Sequence, residues 1–245
     1  MYRIIEKTQL SDVGNRVFMM KVEAPRVAKK AMPGQFIILR VAEGGERIPL
    51  TIADYDRDAG WIKLIYQEVG LTTRLLSKLN EGEGIADLLG PLGQPAHLDE
   101  AKRVLCIGGG VGIAPLYPQV RYLHKRGAQV DVILGARTAD LLILEEEMAA
   151  NSDHLYIATD DGSKGEKGLV TDVIKKLLDG GQNYDMAIAI GPLIMMKFVT
   201  LTTKEYDLPT MVSLNPIMVD GTGMCGGCRV SVGGETKYAC VDGPD

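Results

Sequence analysis

Three of the four cysteines in this chain of 245 residues lie close together near its C-terminus, at Cys225, Cys228 and Cys240. A C-x2-C pair with a third cysteine nearby indicates a metal or redox site. Asp220 lies where the C-x4-C-x2-C spacing of plant-type 2Fe-2S centres has its first cysteine. A carboxylate carries the same single negative charge as a thiolate. The predicted cluster ligands are therefore Asp220, Cys225, Cys228 and Cys240.

Two other interpretations of these cysteines remain open. A zinc site could use the same three thiolates with Asp220 or a histidine, although no histidine lies within fifty residues upstream. The cysteines could also be unligated, which would leave three reactive thiols in a flexible tail. The fourth cysteine, Cys106, lies inside an apolar run and is expected to be a small buried hydrophobic residue.

A second set of residues suited to chemistry is the glycine-rich stretch CIGGGVGIAPLYP, from Cys106 to Pro118. Glycines between a strand and a helix let the backbone approach a pyrophosphate, and the first amides of the helix donate to it. The dinucleotide fingerprint would require a third glycine where Ile113 stands, so a tight turn without a ligand is the alternative. The predicted nucleotide-binding residues are Gly108, Gly109, Gly110 and Gly112.

Other candidates for the nucleotide site follow later strands. Arg137 stands where an acidic residue would bind the ribose of NAD, and it could meet a 2'-phosphate or a surface carboxylate. NAD(H) and NADP(H) therefore both remain open. Asp160, in the turn TDDGS, is expected to border the nucleotide, and Gly191 with Pro192 forms a late Gly-Pro pair.

The elements that must position these residues differ between the two halves of the chain. Up to about residue 100, short alternating apolar runs separated by turn residues predict an antiparallel sheet or β-barrel with one helix, Thr72–Leu79. After Arg103, a repeated order of strand, glycine loop and helix predicts a parallel sheet with helices on both faces. Helices are expected to extend to Arg126 and through Met148. The expected domains are 1–98, 99–214 and a cluster segment at 215–245.

Composition excludes several classes of function. The chain has 27 basic and 32 acidic residues and no dense Lys/Arg run, so nucleic acid is not expected as a partner. The N-terminus lacks a signal peptide, and the longest apolar run, Met186–Met196, is too short to cross a bilayer. A C-x2-C site fits a reducing compartment, and we expect a soluble cytoplasmic protein. No motif surrounds the three histidines, His97, His124 and His154.

The order of the motifs resembles the ferredoxin-NADP reductase superfamily over residues 1 to about 210. The resemblance rests on PGQF (Pro33–Phe36), RIPLTIAD (Arg47–Asp54), GPLG (Gly90–Gly93), the glycine loop and the late Gly191-Pro192. It implies that a barrel domain binds FAD and that the α/β domain brings a nicotinamide to the flavin ring. The implied chemistry is hydride transfer between nicotinamide C4 and flavin N5, beside Thr51 as the catalytic residue.

The resemblance also implies a set of flavin-binding residues. Three would line the isoalloxazine, three the middle of the cofactor and three its pyrophosphate: Pro49, Leu50 and Thr51; Ile65, Tyr66 and Gln67; Gly70, Thr72 and Thr73. The family's arginine precedes the hydroxyl by three residues, but Arg47 precedes Thr51 by four. Since that shift points the side chain to the other face of a regular strand, Arg47 is expected to reach the FAD phosphate only through a bulge or turn.

With its C-terminal cysteines, the chain resembles two families of reductase subunit. One is the electron-transfer subunit of dihydroorotate dehydrogenase B, which has four cysteines. The other is the small subunit of NADH-dependent reduced ferredoxin:NADP+ oxidoreductase, which has an aspartate first; RIPLTIAD, TDDGS and DGTGMCGGCRV resemble it more closely.

The second resemblance implies NAD(H), FAD and a 2Fe-2S cluster. It also implies a heterodimer with a larger iron-sulfur flavoprotein subunit, electron bifurcation, and further chain beyond Asp245. A scaffold that retains the fold without nicotinamide is the alternative from a different class.

Overall fold

The computed structural model describes residues 1–245, which form two compact units. Unit 1 combines residues 1–96 with 214–245, and unit 2 comprises residues 97–213. The chain thus leaves the first unit, builds the second and returns to the first.

Unit 1 is built on a seven-stranded antiparallel sheet in the order β6-β1-β2-β5-β4-β3-β7. Its strands β6 and β7 form the two edges, yet only Ala86 separates them in the chain. The sheet must therefore curl until its edges nearly meet, which confirms the predicted barrel. The elements are β1 (Tyr2–Ser11), β2 (Val17–Glu23), α1 (Pro25–Ala28), β3 (Phe36–Arg40), β4 (Arg47–Asp56), β5 (Trp61–Gln67), α2 (Leu71–Leu76), β6 (Gly84–Ile85) and β7 (Asp87–Leu92).

The barrel contains two helices, whereas the sequence predicts one, over Thr72–Leu79. Helix α2 ends at Leu76, and the unpredicted helix α1 begins at Pro25, whose missing amide hydrogen costs nothing in the first turn. With only four residues, α1 is too short for hydrophobic periodicity to reveal.

Alternation along β3 and β4 assigns their side chains to opposite faces of the sheet. Ile37 and Leu39 are buried in the barrel core, where the half-buried Ile48 and Leu50 pack against the same cluster. Phe36 and Ile38 point to the outer face and belong to a separate apolar cluster. Both faces of β3 are therefore covered by protein.

Unit 2 contains a six-stranded parallel sheet in the order β11-β10-β9-β8-β12-β13, which confirms the predicted α/β architecture. The chain moves outward from β8 in one direction and then returns to its other side with β12. The elements are β8 (Arg103–Gly109), a 3₁₀ turn (Gly110–Gly112), α3 (Ile113–Lys125), β9 (Gln129–Ala136), a 3₁₀ turn (Ala139–Leu141), α4 (Glu145–Ala149), β10 (His154–Thr159), β11 (Glu166–Lys167), α5 (Val170–Asp179), β12 (Met186–Ile190), α6 (Leu193–Lys204) and β13 (Thr210–Val212).

Two helix boundaries in unit 2 correct the sequence prediction. Helix α3 ends at Lys125, one residue before the expected Arg126. The helix expected through Met148 is reduced to the 3₁₀ turn Ala139–Leu141 and α4. Leu144 lies between them with a left-handed φ of 56°, a conformation that cannot continue a right-handed helix.

The C-terminal segment of unit 1 packs on the outer face of the barrel. It contains β14 (Arg229–Val232), β15 (Glu235–Tyr238) and α7 (Ala239–Asp242). Met218, Cys228 and Cys240 from this segment cluster with Phe36 and Ile38, and Leu92 packs against them. The outer face of β3 is thus the base on which the cysteine segment folds.

No helix has both the length and the apolar composition needed to cross a membrane.

Lys7 fixes the C-terminal end of α2. Its ammonium Nζ donates hydrogen bonds to the carbonyl oxygens of Ser77 and Leu79 at 2.6 and 2.7 Å. Since the last carbonyls of a helix lack intrahelical partners, a cation there stabilises the helix end. Lys7 therefore ties the end of α2, and the turn after it, to β1.

Replacing this cation should loosen α2. We expect Lys7→Met to lower the free energy of unfolding by about 1–2 kcal/mol, because two charge-assisted hydrogen bonds are lost. Urea denaturation of the full chain measures the change, with the exposed neighbour Lys78→Met as the control. Equal midpoints for the two variants would contradict this role of Lys7.

Candidate functional site

The four predicted cluster ligands form two pairs in unit 1. Oδ2 of Asp220 accepts a hydrogen bond from the amide of Cys225 at 2.8 Å, and the Cys225 thiol also interacts with this carboxylate. The Sγ atoms of Cys228 and Cys240 lie 3.2 Å apart. The first pair is at the surface of the loop and the second is buried against the barrel.

Backbone amides of the glycine-rich loop point at the sulfur atoms. The amide of Gly227 donates to Sγ of Cys225 at 3.5 Å, and that of Gly223 donates to the Cys240 thiol. The amide of Cys240 in turn lies 3.5 Å from Sγ of Cys228. Hydrogen bonds to ligand sulfurs stabilise the thiolates that bind iron and tune the potential of a cluster.

Local interactions shift the pKa values of two donors in opposite directions. A hydrogen bond from the amide of Thr222 lowers the pKa of Asp220, which favours the carboxylate. Burial raises the pKa of Cys240 to about 11. Iron or zinc binding to such a thiol therefore requires release of its proton.

The donor set fits a two-iron centre. A 2Fe-2S cluster needs two protein ligands on each iron, and two donor pairs meet that need. Because Cys228 and Cys240 are buried, the segment is also not a flexible tail of exposed thiols.

The expected flavin site lies on the outer face of β4. In the ladder between β3 and β4, Thr51 stands opposite Phe36, and Pro49 opposite Ile38. Residues directly opposite in an antiparallel ladder share a face. Thr51 and Pro49 therefore point outward.

The structure turns two of the expected flavin-lining side chains away from this face. Leu50 packs against the barrel core, and Tyr66 is buried within it, where its hydroxyl lies 3.6 Å from Sδ of Met20. Only their main chains can contact a ligand on the outer face. Ile65 and Gln67, on either side of Tyr66 in β5, point to the opposite face from Tyr66.

The bulge or turn that was expected to redirect the Arg47 side chain is absent. The ladder is regular from Arg47 to Thr51, and the only irregularity of β4 lies beyond it, between Ile52 and Asp54. No bulge re-aims Arg47. Four residues along a regular strand bring a side chain back to the same face, so Arg47 shares the outer face with Pro49 and Thr51.

Both threonine hydroxyls of the turn into α2 are hydrogen-bonded within the protein. Oγ1 of Thr73 accepts hydrogen bonds from the amides of Val69 and Gly70 at 3.1 and 3.0 Å. Oγ1 of Thr72 donates to a carboxylate oxygen of Glu46 at 3.0 Å. Thr73 is therefore a capping residue, and Thr72 joins the turn to the residue before Arg47.

The expected flavin face and the cysteine segment share one surface of the barrel. Phe36 and Ile38 pack against the segment that contains Cys228 and Cys240, and the same two residues stand opposite Thr51 and Pro49. Neighbouring strands lie about 4.8 Å apart. One strand spacing thus separates the residues that support the cysteines from those expected to line the flavin.

In unit 2, the glycine loop after β8 meets the loop after β12. A Cβ atom added at Gly112 would lie 2.5 Å from the carbonyl oxygen of Ile190 and 2.6 Å from Cα of Gly191. Only glycine permits this approach. The two loops lie where the strand order reverses, between β8 and β12, the position at which parallel sheets bind dinucleotides.

The remaining nucleotide candidates lie at the same edge of the sheet. Arg137 directly follows β9 and Asp160 directly follows β10, and both are exposed. The amide of Asp160 donates to the carbonyl oxygen of Ala136 at 3.1 Å. The structure thus brings them to neighbouring positions, Arg137 one strand and Asp160 two strands farther from the switch point than the glycine loop.

Sequence reasoning missed residues that hold the site together. Gln35 and Gln94 make hydrogen bonds around the C-terminal segment, and Glu46 binds Thr72. Gln35 lies inside PGQF and Gln94 directly follows GPLG, so both glutamines lie in or next to motifs that the sequence reveals. Their partners are distant in the chain and could not be inferred from spacing.

Two family models match the chain. The iron-sulfur cluster binding domain of dihydroorotate dehydrogenase B matches residues 215–245. The oxidoreductase NAD-binding domain matches residues 106–200. The first range contains all four predicted cluster ligands, and the second contains the glycine loop.

Curated relatives match almost the whole chain. An electron transfer subunit homolog of dihydroorotate dehydrogenase B from Thermotoga maritima is 49% identical over 99% of the chain and 84% of the relative. The electron transfer subunit of dihydroorotate dehydrogenase B from Geobacillus thermodenitrificans is 38% identical over 95% of the chain and 91% of the relative.

A solved structure matches the whole chain. It is an NADH-dependent reduced ferredoxin-NADP oxidoreductase described in the context of flavin-based electron bifurcation. The match has 46% identity and a TM-score of 0.93, and it covers 100% of this chain and 87% of that chain.

A methyl group placed between the two loops of unit 2 should impair nucleotide binding. We expect Gly112→Ala to destabilise the unit by about 1–3 kcal/mol, because the new methyl group meets backbone that cannot move away cheaply. NADH binding should weaken as the loop shifts, which equilibrium titration would show. Gly127→Asn, at an open left-handed position of the same unit, is the control. Unchanged NADH affinity in Gly112→Ala would show that this approach is not needed.

Proposed function

Because the chain belongs to the family of dihydroorotate dehydrogenase B electron transfer subunits and their homologues, we propose that it is the electron-transfer subunit of an NAD(H)-dependent flavin and iron-sulfur oxidoreductase. It binds NAD(H), FAD and a 2Fe-2S cluster. NAD(H) binds to unit 2, while FAD and the cluster bind to unit 1. The proposed domains are those expected from the sequence, with the cluster segment at 215–245.

The observation that best supports this function is the shared outer face of β3 and β4. Phe36 and Ile38 support the cysteine segment, and Pro49 and Thr51 stand opposite them on the same surface. A chain that passes electrons between two cofactors must hold them close together. This strand pair supplies a rigid base for both.

The residues of unit 1 have separate roles in this proposal. A flavin held here would supply hydride exchange with nicotinamide and single-electron exchange with the cluster. Thr51 and Pro49 position the flavin ring, and Arg47 on the same face offers a cation to its phosphates. Asp220, Cys225, Cys228 and Cys240 hold the cluster in their two pairs. Leu50 and Tyr66 contribute through their main chains.

Unit 2 positions the nicotinamide dinucleotide. The amides after Gly110 and Gly112 begin α3 and lie at the switch point of the sheet, which suits a pyrophosphate. Gly191 and Pro192 form the opposite wall of this crevice. Arg137 and Asp160 border the adenosine end, where Asp160 can accept a hydrogen bond from a ribose hydroxyl.

We place the subunit in an electron-bifurcating complex that couples NAD(H), NADP(H) and ferredoxin. The solved structure of this kind is 46% identical over the whole chain, with a TM-score of 0.93. Asp220 in the place of a first cysteine also favours it. The proposed partner is a larger iron-sulfur flavoprotein subunit. Four free cysteines fit a cytoplasmic compartment, where thiols stay reduced.

A second candidate is electron transfer to a dihydroorotate dehydrogenase, because the Geobacillus relative covers 95% of the chain. Purification of the native complex separates the two. A large subunit rich in iron and sulfur supports the bifurcating assignment, and a catalytic subunit that contains only FMN supports the second candidate.

Anaerobic reduction tests the electron-transfer function directly. We expect NADH to bleach both the flavin and the cluster of the reconstituted protein, because electrons enter at the nicotinamide and leave through the cluster. Absorbance spectra follow the flavin, and electron paramagnetic resonance follows the reduced cluster. Bleaching of neither would support a scaffold that retains the fold without nicotinamide chemistry.

The role of Asp220 can be tested by restoring a cysteine. We expect Asp220→Cys to keep a 2Fe-2S cluster but to change its electron paramagnetic resonance spectrum and midpoint potential, since a thiolate is a softer ligand than a carboxylate. Asp12→Cys, at an exposed position between β1 and β2, is the control. Spectra and potentials identical to those of the wild type would exclude Asp220 as a ligand.

A further inference from the structure

Gln94 connects the end of the barrel to the C-terminal segment with two hydrogen bonds. Its backbone amide donates to the carbonyl oxygen of Gly243 at 2.7 Å. Its side-chain Nε2 donates to the carbonyl oxygen of Val241 at 2.9 Å. Val241 belongs to α7, directly after the cluster-ligand candidate Cys240. Gln94 is therefore hydrogen-bonded to the helix that contains this cysteine and to the residue after it.

Gln35 holds the backbone next to Gln94 in place. Its Nε2 donates to the carbonyl oxygen of Gly93 at 2.9 Å, and its Oε1 accepts from the amide of Met32 at 3.0 Å. The backbone carbonyl of Gln35 accepts from the amide of Ile52 at 3.1 Å. Ile52 is the neighbour of Thr51, so a continuous series of hydrogen bonds joins the flavin strand to α7.

The backbone at Gly93 permits this close contact. Gly93 has a φ of +77°, and a Cβ atom there would lie 2.8 Å from the carbonyl oxygen of Gly243. A second bond closes the segment on itself, because the amide of Leu214 donates to the carbonyl oxygen of Pro244 at 3.0 Å. The start and the end of the C-terminal segment are thereby held together beside Gln94.

We propose that Gln94, braced by Gln35, is a positioning residue that holds the cluster-binding segment against the flavin-binding face of the barrel. This inference rests on the proposed function, since it concerns the relay between the two cofactors. Neither glutamine touches a predicted ligand side chain. Gln94 acts on Cys240 through the backbone of α7, and the bond between Ile52 and the carbonyl oxygen of Gln35 anchors this contact to the barrel.

The physical need for such a clamp follows from the small size of the segment. Its buried apolar cluster with the barrel is small and contains Phe36, Ile38 and Cys240. The hairpin of β14 and β15 is largely exposed and contributes little burial. Directional bonds at Val241 and Gly243 supply an orientation that so small an apolar contact cannot fix alone.

Three substitutions of Gln94 separate its donor function from its size. Gln94→Ala removes the donor, Gln94→Glu keeps the shape but cannot donate, and Gln94→Lys restores a donor. Gln9→Ala, at an exposed position of β1, is the matched control. All variants keep the backbone amide that binds Gly243. Each full chain is prepared with FAD and the cluster and is also studied without either.

Hydrogen exchange on the cofactor-free chain gives the first readout. We expect amides within residues 236–245 to exchange about three- to tenfold faster in Gln94→Ala and Gln94→Glu, the factor expected for one lost hydrogen bond. Exchange should return towards the wild-type rate in Gln94→Lys. Exchange rates equal to that of Gln9→Ala in all three variants would overturn the proposal that Gln94 holds this segment in place.

Electron transfer gives the second readout. After anaerobic mixing with NADH, flavin bleaching should keep its wild-type rate in every variant. Freeze-quenched electron paramagnetic resonance should show slower cluster reduction in Gln94→Ala and Gln94→Glu, with recovery in Gln94→Lys and an unchanged final spectrum. Wild-type cluster reduction in Gln94→Ala would overturn the positioning role while leaving the proposed function intact. A wild-type protein that NADH does not reduce would refute the function, and with it the relay role of Gln94.

Discussion

The two faces of the β3–β4 strand pair are the constraint on which the rest of unit 1 depends. Side chains on a strand alternate in direction, so one face can be apolar core while the other is given to ligands. Ile37 and Leu50 fill the barrel, whereas Ile38 and Pro49 stand opposite each other on the outside. A shift of one residue in this register would exchange the two faces and remove the base of both proposed cofactor sites.

The cysteine segment depends on that outer face because it has little core of its own. Two of its cysteines, Cys228 and Cys240, are among its few buried residues. Sulfur here acts both as a candidate ligand and as part of the apolar packing against the barrel. Metal binding and docking of the segment therefore involve the same side chains, and each is expected to favour the other.

Sequence spacing predicted the donor set, the glycine loop and the order of the two architectures, because these depend on local pattern. It could not assign the faces of β3 and β5. FIILR is apolar at successive positions, so no alternation distinguishes core from ligand face. The resemblance implied that Tyr66 and Leu50 lie at the flavin, although their side chains belong to the core. The contact of Gln94 with α7 spans most of the chain and leaves no local signal.

The interruption of unit 1 by unit 2 has a consequence for biosynthesis. Residues 1–96 emerge from the ribosome first, and the segment 214–245 that completes the same unit emerges only after all of unit 2. Domains generally fold in the order of their synthesis. The barrel strands can therefore pair before the predicted cluster ligands are synthesised, so assembly of the cluster cannot begin until all of unit 2 has been synthesised.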